Sequence, residues 1–187
     1  MNLFLLRHAS AGTSRANPLI DRKRPLDKDG KRHCLQLAAL LNAQKTSFDL
    51  VVSSPLKRSL QTAQFVATEM GYEAQIIQSE ALAPVAGFKD FHRLLQTIAL
   101  EHPGKENVLV VGHNPNLVGF LGALLLPAAA ASLPRIRLRK GSIAHLSMNR
   151  LSTSWGPATL QNLIDPRLVR AVYATSTKSS RRKISKK

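Results

Sequence analysis

Cysteine occurs once in this chain, acidic residues eleven times, and aromatic side chains make up only 5% of the sequence. The lone Cys34 excludes an intramolecular disulfide and fits a reducing cytoplasm. Its surroundings, KRHCLQLAALL, are helical, with no helix start or orienting base beside the thiol, so Cys34 reads as a small packed residue rather than a nucleophile. No apolar stretch is long enough to span a bilayer. The longest, Leu117 to Ala131, is broken by Gly119, Gly122 and Pro127 and reads as a buried helix followed by a loop. The greasy opening MNLFLL runs straight into Arg7 and His8 with no basic segment before it, which speaks against a signal peptide. A cytoplasmic protein without membrane association is the expectation.

Basic residues are plentiful: 27 Lys and Arg give a net charge of +16. The last fourteen residues, ATSTKSSRRKISKK, hold six of these and no acid, yet the remainder is still strongly basic. Such a balance favours anionic partners, whether a phosphorylated substrate, nucleic acid or an acidic protein surface. The shortage of aromatics and the lack of a helix-turn-helix or stacking platform argue against nucleic-acid recognition as the main task. The nucleic-acid-binding alternative rests on RIRLRK and the tail, and would be non-specific electrostatic contact that collapses with salt. RIRLRK alternates basic with apolar residues, as a half-buried strand does.

Short apolar runs alternate with amphipathic stretches. Strands are expected at Asn2–Arg7, Phe48–Ser53, Ala74–Gln78 and Val108–Gly112, and a late hairpin from Arg135–Arg139 and Ile143–Met148 about a Lys140-Gly141 turn. Helices are expected from near Asp29 to Gln44, from Pro55 to Gly71, over Phe88–His102 and over Pro115–Leu125, with Ala9–Asp27 a loop. This order implies an α/β/α sandwich on a largely parallel sheet, with one antiparallel member from the late strand. One domain over residues 1–173 and a basic, disordered tail over 174–187 follow from the loss of apolar content. The oligomeric state is left open, with a monomer the expectation.

Polar groups gather where strands end: Arg7 and His8 after the first, Ser53, Ser54, Pro55 and Arg58 after the second, and His113 after VLVVG. Ligands of open α/β sheets bind in the crevice at those carboxyl ends. Two arginines and two histidines there make a pocket for a dianion, since each guanidinium presents paired donors to phosphate oxygens. The six histidines (His8, His33, His92, His102, His113 and His145) show no paired ligand spacing or nearby carboxylate cluster, so a metal site is not expected.

In order and spacing, LLRHASA, VVSSPLKRSLQTA and VVGHNP resemble the three signature segments of the histidine phosphatase (phosphoglycerate-mutase-like) superfamily. DRKRPLDKDG, NPNLVGFLGALL and GSIAHLSM bring the resemblance closest to the SixA-type bacterial phosphohistidine phosphatases, over roughly Met1 to Arg170. The resemblance implies a phosphatase in which His8 takes the phosphoryl group and water then hydrolyses the phosphohistidine. Arg7, Arg58 and His113 would bind the phosphoryl oxygens and stabilise the transition state, with no metal or organic cofactor required. A backbone carbonyl near the first loop should orient His8. Where many superfamily members carry a glutamate acid, this sequence reads Leu82-Ala83-Pro84, as SixA-like proteins do; Glu80 and Asp90 are off register and read as surface charges. Without an acid, P–N cleavage is favoured over P–O cleavage, because imidazole can leave protonated on its far nitrogen. Asp21 is the remaining acid candidate, or else a partner of Arg24, and Arg24 either lines the pocket rim or is surface charge. Mutases and sugar phosphatases of the superfamily carry lid insertions that this chain lacks room for. An open pocket suits a phosphohistidine domain of another protein, and a small phosphoester or nucleotide is the alternative substrate.

Overall fold

The computed structural model describes residues 1–126, 135–149 and 157–174. Its frame is a six-stranded sheet: β1 (Asn2–Arg7), β2 (Leu50–Ser53), β3 (Ile77–Gln78), β4 (Asn107–Gly112), β5 (Ile143–Ser147) and β6 (Thr159–Ile164). In space the order is β3-β2-β4-β1-β5-β6. The first three contacts in that order are parallel, and β5 pairs antiparallel with both β1 and β6. This is a largely parallel α/β fold, as the order of elements implied.

Both faces of the central strands are covered, which is why they read as continuous apolar runs rather than alternating ones. Leu3 and Leu5 of β1 lie in one core cluster with Phe91, Leu95, Leu117 and Leu121. Those partners belong to α4 (Phe88–Glu101) and α5 (Asn116–Leu125). Phe4 and Leu6 lie in the other cluster, with Leu37, Leu41, Ala63 and Val66. These come from α2 (Lys28–Ala43) and α3 (Lys57–Glu69). Cys34 is buried in that second layer, where burial pushes its thiol up to about 12, as a packed residue requires.

Several boundaries differ from the sequence expectation. The 9–27 loop contains a short helix, α1 (Pro18–Arg22), started by Asn17, whose side chain accepts from the Leu19 N–H at 2.9 Å, with Pro18 in the first turn. Helix α3 starts at Lys57 rather than Pro55, because Leu56 stays extended as its N-cap. Only Ile77–Gln78 of the expected 74–78 strand pairs. The Lys140-Gly141 turn is present, but Arg135–Arg139 is not a strand, so the hairpin expectation is corrected. Its backbone is engaged elsewhere: the Leu138 carbonyl accepts from Arg7 and Asn114 side chains, and the Arg139 N–H donates to Ser142 Oγ. The second partner of β5 is instead β6, a largely exposed edge strand, followed by a helix, α6, over 166–174. Most of the expected tail, and the end of the 117–131 apolar run, lie outside the described residues.

Candidate active site

The sheet order makes β2, β4 and β1 consecutive neighbours, all parallel, so their carboxyl ends lie side by side. β1 and β2 continue their ladders with β4 one residue past the strand: the His8 N–H donates to the Gly112 carbonyl at 3.0 Å, and the Ser54 N–H to the Val111 carbonyl at 2.9 Å. Residues His8, Ser54 and His113 are thereby set next to one another on the rim of the sheet. The two imidazoles stand 4.9 Å apart between centroids, inclined by 52°. Arg58, in the first turn of α3, and Arg7, the last residue of β1, add their charges to the same place. Both lower the proton affinity of His8 and of His113.

Each imidazole is held by one nitrogen. His8 Nδ1 is 2.8 Å from the Ala9 carbonyl, which can only accept, so Nδ1 carries the proton and Nε2 keeps its lone pair. Burial, then Arg58, Arg7 and Lys140, push His8 down to about 3, while the Ala9 contact opposes them. His113 Nε2 is 2.9 Å from Ser54 Oγ, and burial together with His8 and the arginines pushes it to about 2. Both rings are therefore neutral at pH 7. The main chain around them is pinned by Thr62, whose Oγ1 accepts from the Ala9 N–H at 3.1 Å and donates to the Arg58 carbonyl at 2.7 Å. Gly141 N–H bridges the Arg7 and His8 carbonyls at 3.0 and 3.1 Å.

Arg7 Nη1 donates to the Leu138 carbonyl at 2.8 Å, and Arg58 Nη1 to the Asp21 carbonyl and carboxylate at 2.9 and 3.1 Å. The buried Nε atoms of both arginines and His113 Nδ1 have no hydrogen-bond partner among the described residues. Buried donors left unpaired are costly, and their grouping around one imidazole marks a seat for an oxyanion. Asp21 is brought in by α1. Arg24 binds it at 2.8 Å and, with the Arg15 N–H and Arg58, pulls its carboxyl down to about 2. Arg24 also donates to the Ala11 carbonyl at 2.6 Å, bracing the first loop. Glu80 is paired with Arg22, and Asp90 accepts from the Gly87 N–H at 3.1 Å, so both are engaged elsewhere.

Sequence reasoning thus collected Arg7, His8, Arg58 and His113 in one place and left Asp21 and Arg24 open; the structure joins all six. It did not single out Thr62 or Asp27. Asp27 caps α2 at the Gly30 N–H (2.7 Å) and ties down Ser10 (2.6 Å) and the Gly12 N–H (2.8 Å). The signal for Asp27 was present as an N-cap acid three residues before a glycine in the helix, but its reach back to the first loop is tertiary.

The histidine phosphatase superfamily (branch 1) model matches residues 3–86, which hold Arg7, His8 and Arg58. An uncharacterised protein of a Picosynechococcus strain is 32% identical over 118 residues, covering 63% of this chain and 68% of that protein. The chain belongs to the histidine phosphatase superfamily. Among solved structures, the protein histidine phosphatase SixA complexed with tungstate superposes with a TM-score of 0.75 at 25% identity, over 90% of this chain and 99% of that one. A phosphoserine phosphatase mutant from Entamoeba histolytica shares the fold at a TM-score of 0.63 and 16% identity, over 88% and 97% of the two chains. Membership, together with the likeness to SixA, supports a phosphatase, and leaves its substrate to be argued from the site. Among the described residues no helix is long and apolar enough to cross a membrane.

Proposed function

We propose that this phosphatase removes the phosphoryl group from phosphohistidine on another protein, such as a phosphorelay or phosphotransfer domain in the cytoplasm, with His8 as nucleophile. The observation that carries the reading is the coincidence of an oxyanion seat with the lack, among the described residues, of an available proton donor. A neutral, Nδ1-tethered His8 faces the unpaired donors of Arg7, Arg58 and His113. Among the described residues the carboxyls near the first loop are engaged: Asp21 is held as carboxylate by Arg24 and Arg58, Asp27 accepts from Ser10, Gly12 and Gly30, and Glu80 is paired with Arg22. Ala83-Pro84 stands where an acid would serve an ester leaving group.

In the first step the Nε2 lone pair of His8 attacks phosphorus while the bond to the leaving nitrogen breaks, and that imidazole departs neutral if its far nitrogen already carries a proton. Arg7 and Arg58 take the charge on the equatorial oxygens. For His113 to donate from Nδ1 to the same group, its Nε2 must accept, which fixes Ser54 as the O–H donor. In the second step water attacks the phosphohistidine and releases inorganic phosphate, with His8 restored as the neutral Nδ1–H tautomer. An alkoxide leaving group would need a proton that no carboxyl placed among the described residues supplies, a deficit of about 10²–10⁴ in rate.

The test is turnover of a phosphohistidine-bearing domain, of p-nitrophenyl phosphate and of an alkyl phosphate ester by wild type and His8→Ala. Phosphohistidine should turn over fastest and the substitution should abolish all three. Faster hydrolysis of the alkyl ester would overturn the P–N assignment in favour of a small phosphoester, and turnover by His8→Ala would remove the mechanism.

A further inference from the structure

Beside the oxyanion seat lies a cleft of about 530 Å³ that the chemistry above does not use. One wall is the irregular 135–141 segment and the other the start of α6; Arg7, Ser10 and Asn114 form the edge it shares with the seat. Five cationic side chains line it: Arg7, Arg137, Arg139, Lys140 and Arg170. Arg139 is neutralised by Asp165 at 3.2 Å. Arg137, Lys140 and Arg170 are exposed to solvent and form no ion pair among the described residues. At the shared edge Asn114 Oδ1 and Arg7 Nε are buried without partners.

Cations crowded around one concave surface repel each other, and the low-dielectric walls strengthen the field they present to an incoming anion. Because Arg7 belongs to both places, whatever fills the cleft is a near neighbour of the group at His8. We propose that the cleft is a specificity subsite for a second anionic group of the substrate, a carboxylate or a phosphate, held by Arg137, Lys140 and Arg170 while the phosphoryl group lies against His8. This inference rests on the phosphatase assignment and is independent of the phosphohistidine reading. The anion has two sources: a small substrate that carries it, or an acidic side chain next to the phosphorylated residue of a protein.

The experiment measures kcat/KM of the full-length protein on two sets. One is phenyl phosphate, 3-carboxyphenyl phosphate and 3-phosphonophenyl phosphate; the other is a phosphohistidine peptide with Glu, or with Gln, beside the histidine. Wild type should favour the anionic member by about tenfold or more in at least one set, a size typical of a charge-assisted hydrogen bond. The set that shows it identifies the source. Arg137→Gln/Arg170→Gln should lose that preference while the rate on phenyl phosphate and the Tm stay unchanged, and the double Lys variant should keep most of it. Added salt should erode the wild-type preference as well, a readout that needs no variant. No preference in either set, or one that survives the double substitution or high salt, overturns the subsite. If wild type turns over neither peptide but discriminates within the aryl set, the phosphohistidine reading falls and the subsite stands.

Discussion

Asp21 and Arg58 are joined twice, through the backbone carbonyl of Asp21 at 2.9 Å and its carboxylate at 3.1 Å. Helix α1 therefore delivers an acceptor to the guanidinium beside His8. A carboxylate so placed orients Arg58 and offsets part of its charge, in competition with any bound phosphate. Asp21→Asn should leave kcat on phosphohistidine within about threefold, since no proton is asked of this residue, and should tighten inhibition by inorganic phosphate several-fold. An acid role would appear instead as a loss of about 10²-fold or more on an alkyl ester, with phosphate inhibition unmoved.

His8 and His113 should not titrate near neutrality. Protonation is held down to about 3 and about 2, so imidazole NMR shifts of the phosphate-free protein should stay flat from pH 8 to 5. A step near 6.5 at either ring would contradict the burial and arginine field assigned here. The sign for stability follows from linkage. Unfolded histidines bind protons below about 6.5, whereas these two, and His33, whose affinity burial also lowers, resist doing so when folded. Their contribution to stability is complete above that pH and declines as the pH falls toward the folded values. Denaturation midpoints should drop between pH 7 and 5, less steeply in a variant lacking His33.

Thr62 has no contact with substrate in the proposed mechanism, yet it holds both the Ala9 N–H and the Arg58 carbonyl. Thr62→Val keeps the volume and leaves a buried N–H unpaired, at a cost of roughly 1–3 kcal/mol. Urea denaturation should register that loss, and kcat should fall with it because Ala9 carries the carbonyl that tethers His8. Thr62→Ser should restore most of both. Loss of stability with kcat intact would separate Ala9 from the tautomer of His8.

Gly141 has φ of +84°, and a Cβ there would run into the His33 ring. Left-handed backbone costs a non-glycine residue about 1–2 kcal/mol, and His33, bound to the Gly141 carbonyl at 2.9 Å, has little room to move. Gly141→Ala should lower stability by about 2–4 kcal/mol, adding a comparable packing penalty, and should impair catalysis by loosening the bridge to the Arg7 and His8 carbonyls. A Tm within a degree or two of wild type would show that the turn tolerates a side chain.

The strands that build the site were legible because their signal is local. Leu3–Leu6 and Val108–Val111 are buried on both faces, and a run of four apolar residues ending abruptly in charge can be seen without partners. Arg7, His8, Arg58 and His113 were found with them because strand ends in a parallel sheet converge by construction, and the expected backbone tether of His8 is the Ala9 carbonyl. What was hidden depends on contacts made across the chain. Helix α1 has five residues, too few for any periodicity, although Asn17-Pro18 marks its start. Strand β6, TLQNLI, mixes apolar and polar residues without regular alternation and lies largely exposed at the edge of the sheet. The 135–139 segment alternates as a strand does, but Arg7, Asn114 and Ser142 take the backbone groups a ladder would need.

The Leu138 carbonyl serves both Arg7 and Asn114, and this has a practical meaning for redesign. Side chains at 137 and 139 can be exchanged without touching that oxygen or the Lys140 charge felt by His8, so selectivity is open to grafting. An insertion or deletion anywhere in 135–141 shifts the oxygen and releases two active-site donors together. Variants of the first kind should inherit the chemistry intact, and those of the second should be inert toward every substrate, however well the new sequence matches its target.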